Sequence, residues 1–298
     1  MFRRFSVVMA AAVSIFSTGM FQASAASVAP AQPRALVQAA PTCTDSAYLT
    51  ALGKDLTDLG TAFKAVDMKT VSSVAQLFVT LAGARQKYEN TAAPAGCADL
   101  QLETIIAYGN ASDLLVLDMG ALSDTANAST YTSAMTDQAT RFQNSMNNLL
   151  VLSGVATPAA DSTPVGRAST ITSTTCADAT FLTGLGTDFS SMGSSMSAGM
   201  TSVGAISKGL LSLAVLRQKY EDMVVASGCE VTQLNTIITF ANVTDLLGLS
   251  LAVLADPTNA ATYTKVLTAQ ATRTQQWIQI VVAAATGATP APMATAAK

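Results

Sequence analysis

The chain repeats itself. Thr42-Cys43 returns as Thr175-Cys176, an offset of 133, and after a one-residue gap near Met68 the run RQKYE at 85–89 returns at 217–221 with an offset of 132. Cys97 matches Cys229, Asn110 matches Asn242, and QATR at 138–141 matches 270–273. From 85 to 158 about 33 of 74 positions are identical to their copies. The repeating length, about 110 residues once the connecting segments are set aside, is that of a whole domain. Whatever fold forms must therefore be one that such a segment can complete alone, twice over.

Apolar spacing says what that fold is. Leu49, Leu52, Leu56, Leu59, Phe63 and Val66 step by three and four, and Leu182, Leu185, Phe189, Met192 and Met196 repeat the stripe. That period is one face of a helix. A second stripe runs Val71, Val74, Phe78, Leu81 and Tyr88, copied from Val203 to Tyr220; a third runs from Ile105 to Leu122, copied from Ile237 to Leu254. A rougher fourth passes through Tyr131, Met135, Phe142, Met146 and Leu149. Pro94-Ala95-Gly96 separates the second from the third. Asp256 followed by Pro257, with Asp124 at the matching place, reads as the N-cap of the fourth helix. Four helices with short connections favour antiparallel neighbours, so the expected architecture is all-α: two tandem up-down-up-down four-helix bundles.

The ends and the middle differ in kind. MFRR, an apolar run from Phe5 to Phe16 and the triplet Ala23-Ser24-Ala25 compose a secretory signal peptide, with cleavage expected after Ala25. Residues 154–175 are rich in Pro, Thr, Ser and Ala without apolar periodicity, which reads as an extended linker, and the C-terminal ATGATPAPMATAAK echoes its start. The expected order is signal 1–25, linker 26–42, first bundle 43–153, linker 154–175, second bundle 176–285 and flexible tail 286–298. The most apolar stretches beyond the signal, Leu210–Leu216 and Val281–Ala285, are too short for a bilayer, so no transmembrane segment is expected in the mature chain.

Composition then removes whole classes of function. With no histidine among 298 residues, imidazole ligands, bases and triads are all absent. Sixteen basic residues against 19 acidic ones, 14 against 19 after loss of the signal, cannot neutralise a row of phosphates, so nucleic acid is not an expected partner. No phosphate-binding glycine loop, nucleophile elbow or metal-binding signature occurs, and neither enzymatic activity nor a cofactor is expected.

Four cysteines in an exported chain, two at matching places in each copy, predict the disulfides Cys43–Cys97 and Cys176–Cys229. In an up-down-up-down bundle the first and third helices run parallel, which puts each pair at one end. The shared polar residues form the candidate site. Arg85, Asn110, Gln138 and Arg141 fall at similar height on three helices with Asp113 one turn from Asn110, copied as Arg217, Asn242, Asp245, Gln270 and Arg273. Such a layer either binds a ligand or is a structural network whose members satisfy one another, and the second reading is the commoner. Met192, Met196 and Met200 have a spacing suited to Cu(I), but Leu59 and Phe63 stand opposite two of them, so core filling is expected and no metal. Asn110-Ala-Ser, Asn127-Ala-Ser and Asn242-Val-Thr fit the glycosylation pattern.

These readings describe a secreted, non-catalytic structural or adhesive protein, extracellular or at the cell surface, or periplasmic in a Gram-negative cell, whose surface or extracellular partner the chain does not name. The alternative is a carrier of a small apolar ligand held between the helices.

Overall fold

The computed structural model describes residues 43–155, 176–197, 202–226 and 228–286. The expected signal peptide, the segment 26–42, most of the expected linker, the segment from 287, the side chain of Met196 and all of Met200 lie outside the described residues. The chain divides into two units, with 43–155 in the first and 176–286 in the second. The regular structure is all helical, without a strand among the described residues.

In the first unit the helices are α1 (Ser46–Ala65), α2 (Val71–Glu89), α3 (Ala98–Ser123) and α4 (Ala128–Leu152). Side-chain caps start the first two. Asp45 Oδ1 accepts from the Tyr48 amide at 2.8 Å, and Thr70 Oγ1 accepts from that of Ser73. Each such cap is worth about 1 kcal/mol. The stripe Leu49, Leu52, Leu56, Leu59 and Phe63 is buried, as are Val74, Phe78, Leu81 and Tyr88 of α2. The turn into α3 holds Gly96 at φ 78°, a left-handed conformation that a side chain strains, and Gly228 repeats it at 92°. Cys43 and Cys97 are bonded with Cα atoms 4.5 Å apart, and the Cys43 amide donates to the Leu152 carbonyl at 3.2 Å. The start of the unit is thereby tied both to the head of α3 and to the end of α4.

The second unit contains α5 (Ala179–Ser197), α6 (Val203–Asp222), α7 (Glu230–Ala255) and α8 (Ala260–Thr286). Asp178 and Ser202 cap α5 and α6 as Asp45 and Thr70 do in the first unit. Cys176 is bonded to Cys229 with Cα atoms 4.4 Å apart.

The third helix of each unit is its centre. Every residue from Thr104 to Leu117 is buried, and so is every residue from Thr236 to Asp245. The other helices supply the cover: α7 stacks Phe240 on Phe189 of α5 and packs it against Tyr220 of α6, while its Thr239 hydroxyl reaches the Trp277 carbonyl of α8. A single stripe therefore understates this helix, which carries apolar residues all round.

Two details of the sequence reading are corrected. The most apolar helical stretches are not Leu210–Leu216 and Val281–Ala285. By length and composition Ala98–Ser123 and Glu230–Ala255 are sufficient to cross a bilayer, yet 83 % and 78 % of their most apolar windows are buried inside the protein. Scattered polar residues such as Asn110 and Asp113 hid these helices from a search for unbroken apolar runs. The fourth helix does not begin at the aspartate either. Asp124 and Asp256 end the third helices, and the fourth begin at Ala128 and Ala260. Each aspartate instead accepts from the asparagine three residues on, Asn127 or Asn259, and from the hydroxyl of Tyr131 or Tyr263. The acid is held by side chains across the corner, so proline at 257 occupies a turn rather than a first helical position.

Candidate functional site

The shared polar residues lie around the central helix. Asn110, Asp113 and Gln138 are each 1 % exposed and Arg85 is fully buried. Gln138 Nε2 on α4 donates to Asn110 Oδ1 at 2.7 Å and to Asp113 Oδ2 at 3.1 Å, and Asn110 Nδ2 donates to Ser145 Oγ at 3.2 Å. The predicted trio of Asn110, Asp113 and Gln138 is thus brought together. Arg141, one turn after Gln138 on the same helix, is half-buried.

In the second unit the same positions repack. Gln270 Nε2 donates to both oxygens of Asn242, Oδ1 at 2.9 Å and the carbonyl at 3.0 Å, while Arg273 Nε reaches Asn242 Oδ1 at 3.1 Å. Ser145 is replaced by Trp277, which cannot accept from the amide, so Asn242 Nδ2 turns back to the Ile238 carbonyl of its own helix. Asp245 is fully buried one turn after Asn242.

Arg85 and Arg217 have partners that the sequence reading missed. Arg85 Nε bonds Glu89 Oε1 at 2.7 Å with both side chains fully buried, and Arg217 bonds Glu221 at 2.8 Å. Glu89 and Glu221 are not among the candidate residues of the polar layer. Their signal was present in RQKYE, where arginine and glutamate stand four apart and face each other on a helix. The same motif holds a second constellation. Tyr88 OH and Lys87 Nζ converge on Asp55 Oδ2 at 2.7 and 2.5 Å, and Tyr220 and Lys219 do so on Asp188. Gln101 and Gln233 bind the Tyr88 and Tyr220 carbonyls at 2.6 Å and so latch α3 to α2 and α7 to α6.

Chemically this is a set of groups already engaged with one another. The other candidates fall outside it. Met192 is buried, as a core residue is, and among the described residues no group of three or more His, Cys, Asp or Glu could hold a metal ion. Asn110 and Asn242 are too deeply buried to meet a glycosylating enzyme, whereas Asn127 is exposed with its amide donated to Asp124.

One carboxylate stands apart. Asp118 on α3 is half-buried and its Oδ2 accepts no hydrogen bond, and burial pushes its pKa up to about 6. The folded state then holds a proton that the unfolded chain releases near pH 4, so this group lowers stability as pH rises from about 4 to about 6, and its full cost persists above that. Asp118→Ser, the residue of the copy at Ser250, should stabilise the first unit by about 1–2 kcal/mol at pH 7, allowing for the solvent that reaches the group. Urea denaturation across the pH range checks this: the gain should vanish below pH 4, and a gain independent of pH would contradict the assignment.

No protein family, curated protein or solved structure matches the chain.

Proposed function

We propose that this chain is an exported, non-catalytic protein built from two copies of one up-down-up-down four-helix unit, joined by a hydroxyl-rich linker, and that it serves a structural or adhesive role outside the cell or at its surface. The observation that carries the reading is the engagement of the shared polar residues. Arg85 with Glu89, Gln138 with Asn110 and Asp113, Arg217 with Glu221 and Gln270 with Asn242 are buried and bonded to one another, so their recurrence is accounted for by folding and calls for no substrate. A buried disulfide in each unit suits an oxidising compartment. Two units on one linker raise the effective concentration of the second contact once the first is made, which suits attachment to a repetitive surface better than turnover of a small molecule.

Retention on envelope or matrix material of the producing cell tests this. The full chain should bind on the order of 100-fold more tightly than a chain ending after Val155. Equal retention of the two, or a lipid carried through purification and released on denaturation, would favour the carrier instead. Replacing both Arg141 and Arg273 by Met should lower stability while leaving retention per folded molecule unchanged. Loss of retention at full stability would turn the polar layer into a binding site.

A further inference from the structure

Two of the three glycosylation sequons lie inside the core. Asn110 is 1 % exposed and Ser112 is fully buried, and in the copy Asn242 is fully buried and Thr244 is 2 % exposed. Each pair stands in the middle of a central helix, α3 or α7. The third sequon differs: Asn127 and Ser129 are both exposed at the corner before α4, and the second unit has Asn259-Ala260-Ala261 in its place, which fits no sequon.

In both buried sequons the nitrogen that would receive a sugar is already engaged. Asn110 Nδ2 donates to Ser145 Oγ at 3.2 Å, and Asn242 Nδ2 donates to the Ile238 carbonyl at 2.9 Å. Their Oδ1 atoms accept from Gln138 at 2.7 Å and from Gln270 at 2.9 Å. Asparagine glycosylation joins Nδ2 to the anomeric carbon of a lipid-diphosphate-linked oligosaccharide; the bond from that carbon to the diphosphate oxygen breaks, Nδ2 loses a proton and the lipid diphosphate departs. A bulky ring then stands on Nδ2. Close-packed interiors are strained by a single extra methylene, so a sugar at either place holds the fourth helix away from the third.

Timing gives this its consequence. A glycosylating secretory compartment transfers the oligosaccharide to the extended chain as it enters, before any helix has packed. Burial in the finished fold therefore gives Asn110 and Asn242 no protection and makes their modification incompatible with folding. The sequon hydroxyls have no structural duty of their own, because Ser112 Oγ and Thr244 Oγ1 make no hydrogen bond within the protein. Deleting them removes the acceptor sequons and leaves the asparagine bonds in place.

We infer that Asn110 and Asn242 are acceptor sites whose glycosylation blocks folding, one in each unit, and that the chain is exported by a route that transfers no oligosaccharide to asparagine before folding, as in bacterial export. The inference rests on the proposed export and narrows its compartment. Of the three sequons, only Asn127 could carry a sugar on a folded unit.

Secretion through an endoplasmic reticulum that glycosylates asparagine tests this, with a host signal sequence in place of residues 1–25 and the unaltered chain compared with one carrying Ser112→Ala and Thr244→Val. The unaltered chain should be retained in the cell with sugar mapped to Asn110 or Asn242. The variant should be secreted in several-fold greater yield, with both disulfides formed and sugar on Asn127 alone. An inhibitor of lipid-linked oligosaccharide synthesis should release the unaltered chain as well, a result that owes nothing to the substitutions. Secretion of the unaltered chain in folded form without the inhibitor would overturn the inference, and so would equal yields of the two chains. Failure of residues 1–25 to export the chain from a bacterium that exports it behind a host signal would instead count against the export reading, leaving both buried sequons as blocks to folding.

Discussion

Replacing Cys43 and Cys97 together by Ser should lower the stability of the first unit by about 4 kcal/mol and leave the second unit unaffected. The bond closes a loop with a sequence separation of 54 residues, and in the chain-entropy account a loop of that length costs the unfolded state about that much freedom. Both sulfurs are buried, Cys43 at 2 % and Cys97 at 0 %, so they also lose packing when replaced. The measurement is favoured by a chance of composition: the single tryptophan, Trp277, reports the second unit only. Its fluorescence transition in urea should keep its midpoint while the far-ultraviolet circular dichroism gains an earlier step. A loss below about 1 kcal/mol would mean that the unfolded first unit is already compact. Four reactive thiols in the unreduced protein would mean that the bonds do not form.

Arg217→Met should be nearly as damaging, at about 3–5 kcal/mol, because it leaves the buried Glu221 carboxylate without the guanidinium 2.8 Å away. Here the Trp277 transition itself should move, and Arg85→Met should move the other unit's transition by a similar amount. Exposure decides the contrast. Lys54 and Asp58 form an ion pair with the same i,i+4 spacing, but their side chains are 73 % and 61 % exposed, so Lys54→Met should leave the first unit's transition almost where it was. Equal effects at Lys54 and Arg217 would show that water reaches the inner pair.

Much of the helical content could be read from residue spacing. The stripes through Leu49 and Val71 lie on α1 and α2, and both cysteine pairs are bonded as their positions suggested. Such features are local, or follow from one loop closure, and a linear pattern carries them. The third helix was harder to place, because a stripe is a signal of one buried face and α3 and α7 have none left exposed through their middles. The helix corner was misread for a related reason. Asp124 has the chemistry of a cap, but the hydroxyl of Tyr131, seven residues on, competes for its carboxylate and wins by also being buried.

Within the polar layer, recurrence marked Arg85, Asn110, Asp113, Gln138 and Arg141 but could not say what each bonds. Asn110 and Asn242 are the same residue at the same place, yet one donates to Ser145 and the other to its own helix, since Trp277 fills the space where the serine stood.

The sequence by itself determined that the chain is helical, that its features recur in two halves, and which sulfurs could pair, because periodicity, recurrence and loop length are properties of a string. Only the tertiary structure decided that the third helix lies at the centre, that Arg85 and Arg217 are neutralised by Glu89 and Glu221, and that Tyr88 and Lys87 converge on Asp55. Those outcomes depend on which groups lose water together, and burial belongs to the assembled helices rather than to any one of them.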